Sequence, residues 1–526
     1  MMKRMVLAIA MTGACISLQA QNIDDALRFS SGAPSGSARA QAVGGAQGAL
    51  GGEASSMYIN PATVGFFRTS DFSFTIGVPS ISSTGTYQKE SASDSRTNLN
   101  ISNATLIWGG KRKKPGSKWQ NFSGGIGINR TYNFNQRTYY TGEISNSSLS
   151  LNYYLAADAA GITNPNAQLG GDPDQTILAH SSALAYQTYL INPVKNSDGS
   201  FAGTFYSAAE GVDNSVKVRQ ESTSFERGGN TEFAGTFGAN YNDKFYIGGG
   251  VGVPNIQYRR DLTWRETNTN TVATDLNYFT TTEFLRTYGT GVNAKLGVIY
   301  RPVRSLSLGA TVHSPSWMWL TDEYSTDMTT STKSNGINSF SSRDSRYDGL
   351  DDESKYTIRT PWKGILSATY LFAPSADTRK PTGFISFDYE YVDYASMHFR
   401  FKNHDGYDRE TETDRNNGIK DTYQAASNFR VGGELKLHTI ALRLGYSYYG
   451  SPYKLSSMDG ARSYYSGGIG YRNNGFYVDL AFIYGSSTNY VQPYTMLANN
   501  MGYVTPAAAQ IEKHSYTGLA TFGWKF

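Results

Sequence analysis

The chain has 526 residues, of which only 17% are charged, and it is rich in tyrosine and glycine, with 38 and 55 copies. After Leu18 no run of about twenty apolar residues occurs, which excludes a membrane protein built from helices and leaves a closed sheet for any membrane-spanning form. The net charge of +4 favours no nucleic-acid partner. Cys15 is the one cysteine, so a chain processed after residue 20 has no thiol for a disulfide, a nucleophile or a metal site.

Residues 1–20 are typical of a secretory signal peptide. Lys3 and Arg4 precede an apolar run over residues 5–18, and Ala20 is a small residue of the kind that precedes a signal-peptidase cleavage site. The run is too short to cross a membrane as a helix. We therefore expect an exported protein whose mature chain begins near Gln21.

Residues 21–68 do not alternate like a barrel wall. Small residues dominate residues 31–56, and the glycine-rich run over residues 44–52 suits close packing and unusual backbone angles rather than contact with lipid. A phosphate-binding loop is not indicated, because neither a Gly-Lys-Ser/Thr sequence nor a βαβ unit accompanies the glycines. The segment therefore predicts a plug, or hatch, that folds inside a barrel.

Residues 69–526 predict an all-β domain, a transmembrane β-barrel with long extracellular loops. Alternating segments are separated by short polar turns at residues 111–120, 240–243, 301–305, 374–381, 436–438 and 472–475. Because each turn joins two strands, the turns account for about twelve strands, and a first strand at 71–86 with a last at 515–526 brings the total to about 14. The expected fold is an antiparallel barrel of about 14 strands with the N-terminal hatch in its lumen.

The strands place charge on one face only. Ile440, Leu442 and Leu444 alternate with Arg443. A charged side chain on the lipid face near the membrane midplane costs roughly 2 to 4 kcal/mol, so Arg443 is expected to face the lumen. Because acidic and basic residues share these inward positions, the lumen should be polar and of mixed sign, which suits a barrel that holds a plug.

The carboxy-terminus lies inside the last predicted strand. Phe522, Trp524 and Phe526 fall on one face of that strand, and small or polar residues fall largely on the other. This ending resembles the assembly signal of bacterial outer-membrane barrels. It predicts a location in the bacterial cell outer membrane, contact with outer-membrane lipid, and insertion by the barrel-assembly machinery.

The second long loop, at residues 141–230, contains a predicted helix. Asp172 is a candidate cap with Pro173 at the first helical position. The apolar residues that follow gather on one side of the helix, and they include Ile177, Leu178, Leu184, Leu190 and Ile191. Such a face can cover a groove at the barrel mouth that accepts an apolar ligand, or it can pack on its own loop.

Several short motifs, in their order along the chain, resemble one known family. They lie at residues 25–29, 42–52, 55–62, 300–302, 313–315, 387–394, 429–434 and 442–446. Together they resemble the FadL/TodX family of outer-membrane transport proteins, in the branch found in Bacteroidetes-type bacteria. The triplet Asn60, Pro61 and Ala62 resembles the hatch signature of that family.

The resemblance implies passive uptake of hydrophobic molecules such as long-chain fatty acids or aromatic hydrocarbons. It also implies capture in an extracellular groove, transfer to a site beside the hatch, and exit through a lateral opening beside a kinked strand. The kinked strand should be the third, at residues 122–140, where Gly125, Gly127, Asn129 and Asn133 would permit a bulge or gap. No cofactor or metal is expected. A monomer is the default, because a closed barrel leaves no sheet edge to pair.

Two other classes of function compete with the channel. An enzyme is not indicated, because the 6 histidines lie in different predicted strands and loops without a nucleophile motif, and none is singled out as a haem ligand. The stronger alternative is an outer-membrane shuttle or accessory barrel in protein secretion, whose loops bind a protein partner. Resemblance of fold does not separate the shuttle from the channel.

Overall fold

The computed structural model describes residues 23–110, 116–170, 178, 180–345, 349–373, 381–401, 406–497 and 502–526. Most of this part of the chain is strand. The strands are β1 (Asp71–Tyr87), β2 (Glu90–Thr97), β3 (Asn100–Trp108), β4 (Trp119–Asn133), β5 (Gln136–Ser145), β6 (Ile191–Lys195), β7 (Phe201–Ser207), β8 (Lys217–Tyr241), β9 (Phe245–Asn268), β10 (Leu276–Val303), β11 (Leu306–His313), β12 (Trp317–Thr332), β13 (Gly336–Ser341), β14 (Asp352–Arg359), β15 (Lys363–Phe372), β16 (Thr382–Asp393), β17 (His398–Phe401), β18 (Ala425–Leu437), β19 (Ile440–Tyr449), β20 (Arg462–Asn473), β21 (Phe476–Val491) and β22 (Ala509–Lys525).

The helices form no part of the barrel wall, and the longest of those in the described residues has 17 residues. They are α1 (Ile23–Ser30), α2 (Ala38–Ala42), α3 (Leu149–Ala159), α4 (Pro165–Gln168), α5 (Ser182–Gln187) and α6 (Gly406–Thr422), with 3₁₀ turns at Ala54–Tyr58, Pro61–Phe66, Tyr394–Ser396 and Ser456–Met458. Among the described residues, none of these helices has the length and apolar character needed to cross a membrane.

The sheet closes into a barrel because its first strand pairs with its last. The β1–β22 ladder runs from Asp71 opposite Lys525 to Thr86 opposite Gln510. Consecutive short strands such as β2 and β3, or β14 and β15, occupy one position in the wall. The prediction of 14 antiparallel wall strands is therefore confirmed. Strands β6 and β7 form a separate hairpin.

The short turns fall where the sequence predicts them, at the end of the barrel that holds the start of β1 and the end of β22. Strand β8 ends at Tyr241 and β9 begins at Phe245, and only His438 and Thr439 separate β18 from β19. The predicted turns at 111–120 and 374–381 lie partly outside the described residues.

Side-chain burial follows the predicted alternation. Leu444 and Leu296 are 75% and 68% exposed on the outer face, whereas Arg443 and Lys295 are 3% and 6% exposed and face the lumen. The alternation arises because successive side chains of a strand point to opposite faces of the sheet. The barrel thus has an apolar exterior and a polar interior.

The loop between β5 and β8 folds into a small domain, here called the cap, over one side of the barrel mouth. Helices α3 to α5 and the β6–β7 hairpin share an apolar core with the wall strands, which contribute Tyr140, Trp264 and Phe279. The buried carboxylate of Glu266 accepts a hydrogen bond from the backbone N–H of Leu149 at 2.9 Å. The cap is therefore fixed to the wall by both apolar packing and a buried polar anchor.

The predicted loop helix is wrong in its extent. Its predicted start, like Ile177, lies outside the described residues. Leu178 has a φ of 57° and is not helical. Helix α5 is short because the chain turns at Tyr189, where φ is 61°, and Ile191 already belongs to β6. The apolar residues therefore come from several elements rather than from one helical face.

Candidate transport site beside the hatch

Residues 23–68, the hatch segment, bond to the inner face of the sheet at separate positions. Arg39 pairs with Glu434 of β18 through two hydrogen bonds of 2.8 and 3.0 Å. The backbone N–H of Ala38 donates to Thr521 Oγ1 of β22 at 2.8 Å. Because β18 and β22 lie apart in the wall, these bonds hold the segment within the lumen.

Asn60, from the predicted hatch triplet, fixes a turn against the wall. Its Oδ1 accepts from the backbone N–H of Ala62 at 3.0 Å and caps the turn Pro61–Phe66, while its Nδ2 donates to Gly48 O at 2.7 Å. A Cβ on Gly297 of β10 would lie 1.9 Å from Asn60 Oδ1, so only glycine lets the turn approach this closely. The triplet therefore forms a docking turn.

A network of opposite charges fills the lumen beside the hatch segment. Arg443 lies between Glu434 at 2.6 Å and Asp479 at 2.7 Å, and all three side chains are buried. Arg430 pairs with Glu390 at 3.2 Å in the same way. Buried charges of this kind persist only when they are paired. The network agrees with the interpretation that the lumen charges hold a plug.

The wall has a gap between its second and third strand positions. The β3–β4 ladder stops at Asn103 opposite Asn129, and the described residues show no further pairing between these strands. Just beyond this point β4 carries an extra residue between Arg130 and Tyr132 relative to β8, and regular strand is interrupted at residues 134–135. The third strand position is thus irregular over residues 130–135.

Asparagine side chains span this gap. The Nδ2 of Asn133 donates to Asn98 Oδ1 at 3.3 Å, and the Nδ2 of Asn103 donates to Asn129 Oδ1 at 3.2 Å. The Nδ2 of Asn129 donates to Ser35 Oγ of the hatch segment at 3.1 Å. Side-chain hydrogen bonds therefore join the two edges of the gap to each other and one edge to the hatch segment, in place of a continuous backbone ladder.

A cavity of about 400 Å³ lies between the hatch segment and the gap, which is within the usual size of ligand sites. Its lining includes the apolar residues Leu27, Ile81, Phe134, Ile483 and Leu519. Arg462 and Lys513 line it as well, and neither makes an ion pair with a carboxylate among the described residues. Arg130 lines the cavity too and makes no ion pair among the described residues, and the carboxylates Asp24 and Glu226 belong to the same lining. The cavity is thus partly apolar, with three cations that have no ion-pair partner in the described part of the chain.

The structure separates the residues predicted for the lateral opening. Asn129 and Asn133 border the gap, but Gly125 and Gly127 lie in the regularly paired part of β4. A Cβ on Gly125 would lie 2.4 Å from Ile107 Cδ1, so glycine allows close packing at this position. The role of the asparagines in an exit stays a prediction.

The residues predicted for an extracellular groove are enclosed. Leu184, Leu190 and Ile191 have no exposed surface and belong to the core of the cap, whereas Leu178 is half-buried. Ile177 lies outside the described residues. Leu184, Leu190 and Ile191 pack in a core that the cap shares with wall strands, so they do not form one exposed helical face.

The predicted assembly residues lie on the outer face of the closing strand. Phe522, Trp524 and Phe526 are 38%, 45% and 71% exposed. The N–H of Phe526 donates to Ser70 O at 3.1 Å, and the N–H of Ser70 donates to Phe526 O at 2.9 Å. The final residue therefore completes the closure of the barrel.

Sequence reasoning missed the cavity residues Arg462, Lys513 and Phe134. Alternation places Arg462 and Lys513 on the inner face, but it does not show which inward residues meet across the lumen. These cations could be recognised as inward-facing residues with no acidic residue opposite them on either neighbouring strand. That criterion can be applied only when the register between the strands is known.

No protein-family model matches the chain, and no curated protein matches it. Among solved structures, a Pseudomonas aeruginosa FadL homologue is similar at a TM-score of 0.53 and 11% identity, over 94% of this chain and 99% of that one. These two proteins share a fold. The Pseudomonas putida toluene transporter TodX has a TM-score of 0.49 and 11% identity over 94% and 100% of the chains. The CymD monoaromatic hydrocarbon channel has 0.46 and 11% over 94% and 98%.

Proposed function

We propose that the protein is a passive channel of the bacterial outer membrane that takes up hydrophobic molecules, among them amphipathic acids such as long-chain fatty acids. The observation that carries the proposal is the cavity between the hatch segment and an unpaired edge of the barrel wall. The fold shared with the FadL homologue agrees with this function. Insertion by the barrel-assembly machinery and a monomeric state belong to the same proposal.

The outer surface supports a membrane location. Large apolar side chains are exposed in the middle of many strands, including Phe233, Phe237, Val251, Leu296, Leu366, Leu444 and Phe482. In water such a continuous apolar surface would be costly. In a bilayer it matches the outward band of a transmembrane barrel.

The cavity lining supports an amphipathic ligand. Its apolar residues suit a hydrocarbon chain, because burial gains roughly 25 cal/mol per Å² of apolar surface. Arg462 and Lys513 could then pair with an anionic group of the ligand. A half-buried cation that has no counter-ion in the protein is stabilised most by an anion from outside. A carboxylate at one end of an apolar chain combines both features.

The gap supports a lateral exit. A ligand that leaves the cavity between Asn98 and Asn133 would separate a single side-chain hydrogen bond of 3.3 Å rather than a backbone ladder. It would reach lipid without crossing the charged part of the lumen, where an apolar chain is poorly solvated. No energy source is needed for such movement down a gradient.

The test combines binding and uptake. The protein is purified in mild detergent, co-purified small molecules are identified by mass spectrometry, and uptake of a labelled fatty acid is measured in proteoliposomes. Replacing Ile483 by tryptophan should fill the cavity and abolish both signals, because Ile483 lines the cavity and is 4% exposed. The matched control is Leu480→Trp on the same strand, which is 49% exposed on the outer face.

Replacing both Arg462 and Lys513 by glutamine should weaken binding of a fatty acid while leaving a neutral hydrocarbon of similar length unaffected. Uptake that survives Ile483→Trp would contradict the cavity as the transport site. Co-purification of a protein partner, with no apolar molecule in wild type, would favour the role as a secretion shuttle instead.

A further inference from the structure

Three arginines stand side by side on the outer face of the barrel. Arg227 of β8 lies directly opposite Arg259 of β9, and Arg259 lies directly opposite Arg286 of β10. We call these three residues the arginine row. Arg286 is in turn opposite Glu323 of β12. The row faces outward, because on β10 Arg286 has the same parity as the exposed Val292.

The arginine row lies just above the aromatic residues at the top of the apolar band. On β10, Tyr288 lies two positions closer to the apolar band than Arg286, and on β12 Trp319 lies four positions closer than Glu323. At roughly 3.3 Å per residue these offsets are about 7 to 13 Å along the strands, and the tilt of the strands makes the height smaller. This is where the polar headgroups of an outer-leaflet lipid would lie.

The row is not neutralised by its protein neighbours. Arg227 and Arg259 share Asp261, at 2.8 and 3.1 Å, and Arg286 pairs with Glu323 at 3.2 Å. Two carboxylates therefore serve three guanidinium groups. Like charges directly opposite each other destabilise a sheet, so an additional anion would relieve the repulsion.

The guanidinium groups are held in place but remain accessible. They stack on aromatic rings, with Arg227 4.8 Å from the centre of Phe225 and Arg259 4.6 Å from that of Phe284. The side chains of Arg227, Arg259 and Arg286 are 38%, 47% and 50% exposed. Stacking fixes the planes and leaves N–H donors for two-point contact with an oxyanion.

The row also lines a surface depression of about 770 Å³. On its far side Arg343 pairs with Asp327 at 3.3 Å and lies 3.8 Å from Asp351. One arginine faces two carboxylates there, so the far side of the depression carries a net charge of −1, whereas the three arginines of the row with Asp261 and Glu323 carry a net charge of +1. The depression is large enough for a headgroup, and its positive side is continuous with the apolar band that would contact the acyl chains.

We propose that the arginine row binds the phosphate groups of a phosphorylated lipid headgroup in the outer leaflet. The inference rests on the proposed function, because it requires the barrel to lie in a membrane whose outer leaflet presents phosphate. Arginine suits this role, since its planar fork matches phosphate oxygens at two points. The bound lipid would anchor the barrel at a fixed height and shield the row.

The test uses purified protein and bisphosphorylated lipid A as the probe, with binding measured by native mass spectrometry. The variant carries Arg227→Gln, Arg259→Gln and Arg286→Gln together, and we expect at least about tenfold weaker binding, as for the loss of one or more charge-assisted contacts. Dephosphorylated lipid A should bind wild type and variant equally. The affinity of the Arg259→Lys variant for bisphosphorylated lipid A should lie between those of wild type and the triple variant, because lysine keeps the charge but loses the two-point contact.

Arg265→Gln is the matched control, since Arg265 lies on the same strand, stacks on Tyr278 at 4.0 Å, and stands six positions further from the apolar band than Arg259. Binding should be unchanged. Equal binding of bisphosphorylated lipid A by wild type and the triple variant would overturn the proposal, as would displacement of the lipid by millimolar inorganic phosphate, which would indicate a free-phosphate site. Fatty-acid uptake should persist in the triple variant. If the wild-type protein takes up no fatty acid, the proposed channel is wrong. If the wild-type protein binds bisphosphorylated and dephosphorylated lipid A equally well, only the proposal for the arginine row is wrong.

Discussion

Replacing Arg39 by alanine tests whether a buried ion pair holds the hatch segment in the barrel. The Arg39 side chain is 8% exposed and makes two hydrogen bonds to Glu434, at 2.8 and 3.0 Å, with a third to Gly52 O at 3.2 Å. Alanine removes all three. It leaves the Glu434 carboxylate buried with Arg443, 2.6 Å away, as its remaining cationic partner. It also removes the ion pair of 3.6 Å with the buried Glu53, whose carboxylate keeps hydrogen bonds from the hydroxyls of Ser37 and Ser55.

Removing one member of a buried ion pair costs about 3 to 5 kcal/mol. Because Arg443 still neutralises Glu434, we expect a loss at the lower end of this range. The free energy that keeps the hatch segment docked should fall by about 3 kcal/mol. Every 1.4 kcal/mol is a factor of about ten, so the undocked population should rise by roughly a hundredfold. The wall strands keep their own ladders, and the barrel itself should remain closed.

The assay is thiol labelling of Ser56→Cys, since Ser56 is fully buried and a mature chain without Cys15 has no other thiol. Labelling in the Arg39→Ala background should be about a hundredfold faster when opening limits access by a pre-equilibrium. The matched control is Arg68→Ala, whose ion pair with Asp243 is about half exposed and contributes under about 1 kcal/mol. An unchanged labelling rate in Arg39→Ala would refute the reasoning, and an equal acceleration in the control would show that burial is not the deciding factor.

Three further changes test other parts of the structure. Gly297→Ala should displace the Asn60 turn and speed labelling of the hatch, because its Cβ would lie 1.9 Å from Asn60 Oδ1, whereas Gly235→Ala, with no atom within 4 Å of the added carbon, should not. Cross-linking cysteines at positions 98 and 133 with a short bifunctional thiol reagent should block uptake by bridging the gap, and uptake should remain normal without the reagent. Deleting Phe526 should impair assembly, measured by heat-modifiable mobility on gels, because the closing strand loses two backbone hydrogen bonds to Ser70 and an exposed ring; full assembly would contradict this.

The barrel wall could be predicted because its two faces meet different solvents. Lipid excludes charge from positions such as Leu442 and Leu444, so Arg443 between them must face inward, and a period of two remains visible in the sequence. Turn residues then mark the ends of the strands. Neither feature depends on contacts between distant parts of the chain, and both were confirmed.

The cap could not be predicted in the same way. Leu184, Leu190 and Ile191 were assigned to one helical face, but they are buried by residues from wall strands such as Trp264 and Phe279. A short apolar run is compatible with a helix, a turn or a strand, and tertiary packing decides among them. The turn at residue 189 has no strong sequence signal, because Tyr rarely adopts positive φ.

The gap shows where local sequence and long-range structure agree. A strand that lacks a neighbour inside a membrane leaves backbone groups without hydrogen-bond partners, and no water is present to replace them. Asparagine can supply such partners, and Asn103 Nδ2 does so by donating to Ile128 O at 3.2 Å, while Asn135 Nδ2 donates to Gly228 O at 3.1 Å. Asparagines on both edges of the gap, on β3 and at the end of β4, therefore supply the hydrogen bonds expected where a ladder is interrupted. Glycines of the third strand, such as Gly125, leave space for the hatch segment and the wall to pack closely. The sequence alone does not show which residues of this strand allow packing and which replace missing backbone hydrogen bonds.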